Sequence, residues 1–316
     1  MGLAIRSQVW EFSQVNWTLL LLAHGTIERL EEVPAFLQEI RRGRPPSPEL
    51  VEQMCARYRH VGGSPLLENT QAQADALSRL SKIPTRVAMR LWNPRVGEVL
   101  ASDPPENVCL VPLAPFSVTV YEQAARAEVA SLAAPPSLAC VQPFGDSDQF
   151  VEACASHLEE HGGKALADGA SLVLTAHSLP QIVIDRGDRY QLEFEACARR
   201  IEQRLGRSAS IAYQSQGADG GHWLGPTLLG TLQKLSQQGV RQVVVAPVGF
   251  LSEHIETLYD LDVETRLHCQ ALNLELCRVP ALGTHPLLIE ALWQAAQAAI
   301  ATWKSTNLTA GGPDLS

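Results

Sequence analysis

The sequence predicts an α/β protein made of two Rossmann-like lobes, each a doubly wound parallel sheet, on three observations. Short β-branched or leucine-rich runs alternate with helix-period segments along the chain, as when parallel strands are buried on both faces by crossover helices. The 316 residues, 46% hydrophobic and 19% charged, exceed one ordinary domain and suffice to bury a sizeable core. One segment also echoes another. TLLLLAHGT (18–26) and ASLVLTAHSLP (170–180) are each a buried strand running into Ala-His and a turn.

The first lobe opens on TLLLLA, so a strand is expected over Thr18–Ala23. Helices are expected over Glu31–Arg42 and Pro48–His60, parted by the Pro-rich break at Pro45 and Pro46, and a third over Gln71–Ser81. Strands follow at Arg86–Leu91, Val108–Pro112 and Ala139–Gln142, then a helix at Asp148–His161. The second lobe opens with a strand at Ser171–Ala176. Helix Tyr190–Leu205, strand Ser208–Gln214, helix Pro226–Gln238 and strand Gln242–Pro247 complete it. The lobes are placed at 18–160 and 165–304, with Glu160–Asp168 and its Gly-Gly pair as boundary. Residues 305–316 (STNLTAGGPDLS) read as a polar, disordered tail.

Charge and composition exclude several functions. Lys plus Arg number 25 against 34 Asp plus Glu, a formal net charge of −9. That balance speaks against a nucleic-acid binder and against a polybasic membrane anchor, since both need clustered positive charge. The apolar stretch around Leu19–Ala23 falls far short of the roughly 20 residues that span a bilayer. The N-terminal MGLAIRSQVWEFSQVNW has no continuous apolar core of a signal peptide. Seven cysteines (55, 109, 140, 154, 197, 269 and 277) are scattered without a C-x-x-C pair. They read as reduced, mostly buried thiols of a cytoplasmic protein.

Candidate chemistry concentrates in four segments. In VVVAPVGFLSEHIETLYDLDVETRLH (243–268) a strand ends in a turn at Gly249, and Ser252 stands where a helix N-cap belongs. Glu256, Asp260 and Glu264 then fall at i, i+4 and i+8, one stripe of a helix. Like charges at that spacing repel. The stripe, lacking basic partners of its own, is either a cation or proton path toward His254 and Glu256 or a solvated helix face. His177 in TAHSLP, and His24 in the paired position, are imidazoles at strand ends that can take a proton or hold a divalent metal, or else cap and pack. The glycine-rich QSQGADGGHWLGP (214–226) is neither a Walker A loop nor G-x-G-x-x-G. Its Trp223 either stacks on a flat ligand or anchors the loop. Arg41 and Arg42, in IRRGRPPSP, are an anion clamp or the basic end of a helix. Neither a G-x-S-x-G elbow nor an H-E-x-x-H motif occurs.

Together these segments resemble the ferrochelatases. The matching text is LLAHGT (21–26), FLQEIRRGR (36–44), RYRHVGGSPLLENTQAQADAL (57–77), TAHSLPQIVIDRGDRY (175–190), YQSQGADGGHWLGP (213–226), VVVAPVGFLSEHIETLYDLDVETR (243–266) and RVPALGTHPLLIEAL (278–292). It runs collinearly from about Leu19 to Ile300. The resemblance implies a chelatase-like fold with a porphyrin cleft between the lobes, and insertion of Fe²⁺ into protoporphyrin IX or coproporphyrin III with loss of two pyrrole protons.

The same resemblance implies roles. His177 is the histidine that binds iron or takes the pyrrole proton, with Glu256 facing it across the macrocycle. Asp260 and Glu264 form the acidic line behind it, where crowding should raise carboxylate pKa values. His254, Trp223, Arg41 and Arg42 lie near the porphyrin. His24 stands where relatives carry Tyr or Met, and is either an axial ligand to product iron or a packing residue. RRGRPPSP leans to coproporphyrin, whereas GGSPL without an inserted residue leans to protoporphyrin. Ferrous iron is expected as substrate, with no prosthetic group and no iron–sulfur cluster. The partners implied are porphyrin and iron, with no nucleic acid, at most peripheral membrane contact, and a monomer or weak dimer. The rival readings are a sirohydrochlorin cobalto- or ferrochelatase and a non-catalytic haem or porphyrin carrier.

Overall fold

A computed structural model of the chain describes residues 16–217 and 221–308. Among the described residues eight strands form two four-stranded sheets. The first has the order β2-β1-β3-β4, from β1 (Trp17–Ala23), β2 (Thr85–Met89), β3 (Asn107–Pro112) and β4 (Ser137–Cys140). The second has the order β6-β5-β7-β8, from β5 (Ser171–His177), β6 (Ala209–Gln214), β7 (Gln242–Ala246) and β8 (Glu275–Arg278). Every pairing is parallel. The two sheets therefore repeat one topology, and β1 and β5, the strands of the sequence echo, are equivalent central strands. β8 is absent from the expected elements because ELCR has no apolar run, and as an edge strand it is only half-buried.

The helices named below are α1 (Val33–Ile40), α2 (Pro48–Val61), α3 (Leu66–Ser81), α4 (Val96–Ser102), α5 (Thr119–Ala130), α6 (Asp148–Ala167), α7 (Gln181–Asp185), α8 (Tyr190–Leu205), α9 (Leu228–Gln237), α10 (Arg266–Ala271) and α11 (Pro286–Leu308). Three start on hydroxyl caps: Ser47, Ser147 and Thr227 accept from the backbone N–H groups of Leu50, Phe150 and Gly230.

Two of these helices correct the expected lobe boundaries. The span Glu160–Asp168 is not a linker, because α6 continues through its Gly-Gly pair. A Cβ at Gly162 would lie 2.9 Å from Val244 Cγ1, so this glycine lets α6 press onto β7. α6 follows the first sheet yet packs against α8, β7 and β8 of the second. α11 follows the second sheet yet packs against α3, β3 and β4 of the first. Each lobe is thus closed by a helix from the other's side of the sequence. α11 also runs on to Leu308, so residues 305–308 are helical and not tail, while 309–316 lie outside the described residues.

Burial follows from this exchange. Leu19, Leu21, Leu172, Leu174, Val244, Phe150, Phe194, Leu288 and Leu292 belong to one cluster that spans both sheets. The outer faces have cores of their own, Leu20, Leu22 and Leu110 against α4 and α5, and Val173, Val243 and Val245 against α9 and α10. A groove of about 550 Å³ between β4 and α11, lined by Leu138, Phe144, Ala295 and Trp303, shares no residue with the site below. Among the described residues no helix is long and apolar enough to cross a membrane.

Candidate active site

His177 ends β5 and His24 follows β1, so both imidazoles stand at the carboxyl ends of central parallel strands, where open α/β sheets bind ligands. The turn after β7 supplies the third part. Gly249 donates its N–H to Thr175 O at 3.0 Å, and a Cβ there would fall 2.6 Å from Ala176 Cβ. Only glycine lets the turn lie so close to β5. Phe250 is thereby set beside His177 and His254, with ring centroids 6.2 and 5.1 Å away.

His177 Nε2 lies 3.4 Å from Glu256 Oε2. The Nδ1–H of His177 donates to Ser178 O, and Tyr190 Oη donates to the His177 carbonyl at 2.9 Å, which holds the ring with Nε2 toward Glu256. A flat ring lying between two groups needs a van der Waals contact on each side, roughly 7 Å in all, twice the separation seen here. The expectation that they face one another across the ring gives way to one shared locus.

Burial disfavours the imidazolium of His177, but the charge and hydrogen bond of Glu256 outweigh it and raise its pKa. Burial likewise pushes Glu256 up, yet His177, then His254 and His24, hold it down at about 2. The expectation that crowding raises carboxylates therefore fails at Glu256, where a histidine cluster overrides it. It holds at Asp260, raised to about 6 by burial first and then by Glu256 and Glu264, against the lowering effects of Ser215 and Arg57.

The acidic stripe sits on an unusual helix. Thr257–Thr265 is a π-helix, whose bonds run from i to i+5, a form concentrated at functional sites. Its basic partner comes from a different element. Arg57 of α2 places Nη1 3.5 Å from Asp260 Oδ1 and Nη2 3.3 Å from Glu264 Oε1, with its guanidinium 4.7 Å from the Tyr259 ring centroid. Ser215, held at φ 59°, donates its hydroxyl to Asp260 Oδ2.

The helix start also differs from expectation. Ser252 Oγ is buried without a hydrogen-bond partner among the described residues, so it is not the cap. Thr257 Oγ1 instead accepts the His254 N–H at 3.0 Å and donates to Glu253 Oε2 at 2.6 Å. Glu253 is gripped by both Nη atoms of Arg278 at 2.5 and 2.6 Å and by the Ala281 N–H at 2.7 Å. The Glu256 N–H donates to His254 Nδ1 at 3.2 Å, which leaves the proton of neutral His254 on Nε2. Burial lowers the His254 pKa and keeps it neutral.

His24 is reached by Arg90, whose Nη2 is 3.3 Å from His24 Nδ1. A guanidinium only donates, so Nδ1 accepts and Nε2 carries the proton. Partial desolvation by the surrounding walls first and Arg90 second lower the His24 pKa, although the residue itself is solvent-exposed. Ionisation of His24 and of Glu256 would be coupled, which brings the carboxyl ends of the two sheets to one site.

Trp223 is joined to the His177 segment by backbone: it bridges Pro180, while Leu224 N–H donates to Leu179 O at 2.9 Å. The ring is half-buried, with Nε1 unpartnered among the described residues; 218–220 of its loop lie outside them. Arg41 caps α1 and Arg42 follows at φ 56°. Helices α1 and α2 reach the site through Phe36, Leu37 and Tyr58, which pack with Ile255. Among the described residues no hydrogen bond or ion pair ties either arginine to His177 or Glu256. Arg57, Arg90, Glu253, Arg278 and Ser215 escape sequence reasoning. All but Arg90 stand within the matching segments quoted above, which was the signal available.

Chemically, Nε2 of His177 and the Glu256 carboxylate form a nitrogen–oxygen pair able to ligate a borderline divalent ion or to exchange a proton. Comparison with known proteins shows what the chain as a whole is similar to. The Ferrochelatase family profile matches residues 17–300. A ferrochelatase of Acidobacterium capsulatum is 32% identical over 308 residues, covering 89% of this chain and 94% of its own. A coproporphyrin III ferrochelatase of Anoxybacillus flavithermus is also 32% identical, covering 87% and 93%. The solved structure of SirB from Bacillus subtilis with Fe³⁺ matches at TM-score 0.59 and 13% identity, over 92% of this chain and 98% of that one. CbiX, described as the terminal enzyme of sirohaem biosynthesis in denitrifying bacteria, matches at TM-score 0.54 and 14% identity, over 89% and 99%. At those identities the structural likeness concerns the fold.

Proposed function

The chain belongs to the ferrochelatase family, and from that premise we propose that it is a lyase-type chelatase inserting Fe²⁺ into a porphyrin late in haem synthesis. The observation that carries the assignment is the 3.4 Å contact of His177 Nε2 with Glu256 Oε2, backed by Asp260 and Glu264. With Nδ1–H committed to Ser178 O, Nε2 is the atom of His177 that meets iron or a pyrrole proton, once it gives up the proton it shares with Glu256. Glu256 shares either task from the same side. Protons collected there pass toward Asp260, whose pKa near 6 lets it load and unload around neutral pH. His24 offers no lone pair while Arg90 holds Nδ1, which supports a packing role against the ring over axial ligation. Trp223, His254, Arg41 and Arg42 complete the proposed porphyrin surface. Seven free, dispersed cysteines support a chemistry without an iron–sulfur cluster and a reducing, cytoplasmic setting.

The test is anaerobic Fe²⁺ insertion, followed by absorbance, with coproporphyrin III, protoporphyrin IX and sirohydrochlorin side by side. We expect turnover of one of the first two. His177→Ala and Glu256→Gln should each cost on the order of 100-fold or more in rate while porphyrin still binds. Turnover of sirohydrochlorin alone would make the chain a sirohaem-type chelatase, and binding without insertion would make it a carrier.

A further inference from the structure

HLEEH (157–161) lies on α6 and shares no residue with the His177–Glu256 pair. His157, Glu160 and His161 fall at i, i+3 and i+4, so a helix sets all three on one face. One ligand atom from each lies within 4.8 Å of the others. The rings of His157 and His161 are 4.3 Å apart, and His161 Nε2 is 3.9 Å from Glu160 Oε2. Atoms bound about 2.1 Å from a tetrahedral ion stand roughly 3.4 Å from one another. Side-chain rotation of the exposed Glu160 and His161 closes the difference.

Two further observations point to a ligand. His157 Nε2–H donates to Pro280 O at 3.0 Å, which leaves the lone pair on Nδ1. That Nδ1 is buried without a hydrogen-bond partner among the described residues. A carbonyl fixing one ring nitrogen while the other stays free is how metal-binding histidines are oriented. His285 packs edge-on against His157 at 5.7 Å and steadies the ring. His285 itself is committed, accepting from Leu287 N–H through Nδ1 and meeting Ser156 Oγ through Nε2. The charges are also arranged for a cation. Arg204 pairs with Glu152 at 2.6 Å and Glu159 at 3.3 Å, whereas no Lys or Arg among the described residues pairs with Glu160.

We propose that His157, Glu160 and His161 form a site for a borderline first-row divalent cation, Zn²⁺, Co²⁺ or Fe²⁺ in kind, separate from the His177–Glu256 pair. Two imidazoles and one carboxylate suit such ions and leave the remaining positions to water.

Co²⁺ titration without porphyrin, read by visible absorption and equilibrium dialysis, tests this. In the full chain carrying His177→Ala and Glu256→Gln, one equivalent should still bind. Adding Glu160→Gln and His161→Ala, both exposed positions, should weaken that binding by about 100-fold or more, beyond the loss of an outer-sphere partner. In the parent chain, His161→Ala alone should lower the stoichiometry from two equivalents to one. Unchanged affinity on removing Glu160 and His161, or no bound equivalent once the cleft ligands are gone, overturns the site. A failure of iron insertion would not touch this result, because the titration reads no turnover.

Discussion

Arg57 shows how one side chain sets the chemistry of its neighbours. Its guanidinium lies 3.5 Å from Asp260 and 3.3 Å from Glu264, so it opposes the burial that lifts Asp260 to about 6. Arg57→Met removes that opposition, and the Asp260 pKa should rise by roughly one unit, the low end for a half-exposed partner. On the proposed proton path, Asp260 must be ionised to accept a proton from Glu256. The acid limb of the insertion pH profile should therefore move to higher pH, with the rate above pH 8 nearly unchanged. An equal loss at every pH would mean that Arg57 only positions the helix.

On the scale of the element, the π-helix of residues 257–265 has identifiable supports. Its wider turn is held where Thr265 Oγ1 donates to Asp260 O at 2.7 Å, and its start is tied down by Glu253. The Glu253 carboxylate is lowered below its usual range: burial pushes it up, but Arg278 chiefly, with Thr257 and Ala281, outweighs burial. A depressed carboxylate contributes stability that is present above its unfolded pKa near 4.5 and is lost as pH falls through the folded value. Glu253→Gln leaves Arg278, whose side chain is 8% exposed, without its main partner. It should cost about 3 kcal/mol in thermal or denaturant unfolding at pH 7, and the gap from the parent should narrow toward pH 3. A pH-independent gap would show that the carboxylate's charge is irrelevant.

Across the whole molecule, the exchanged helices α6 and α11 make one cooperative unit of two sheets. Gln73 of α3 adds a polar tie, donating to Leu251 O at 3.1 Å and Gly283 O at 2.7 Å from a fully buried position. Calorimetry of the full chain should give a single unfolding transition, since neither sheet keeps its inner face covered without the other half of the sequence. Two separated transitions would mean the lobes fold independently.

Local physics made the strands and most helices readable. A run such as TLLLLA can only be a buried strand or a helix too short to stand alone, and Ala-His after it marks a strand end. The equivalence of His24 and His177 was legible for the same reason, as were the motif residues of 252–264. What the one-dimensional pattern could not carry was any relation set by distance in the fold. Arg57 meets Asp260 across 203 positions of chain, and α6 and α11 each cover the sheet on the other side of the boundary. The contact of His177 with Glu256, on which the proposal that both act on one face rests, depends on Gly249 pressing a turn against β5. By itself the sequence determined the strand order's ingredients, the family and the types of residue at the site. Tertiary structure alone decided their partners and protonation, because Coulomb energy and desolvation depend on separation in space and on burial, neither of which is a local property of the chain.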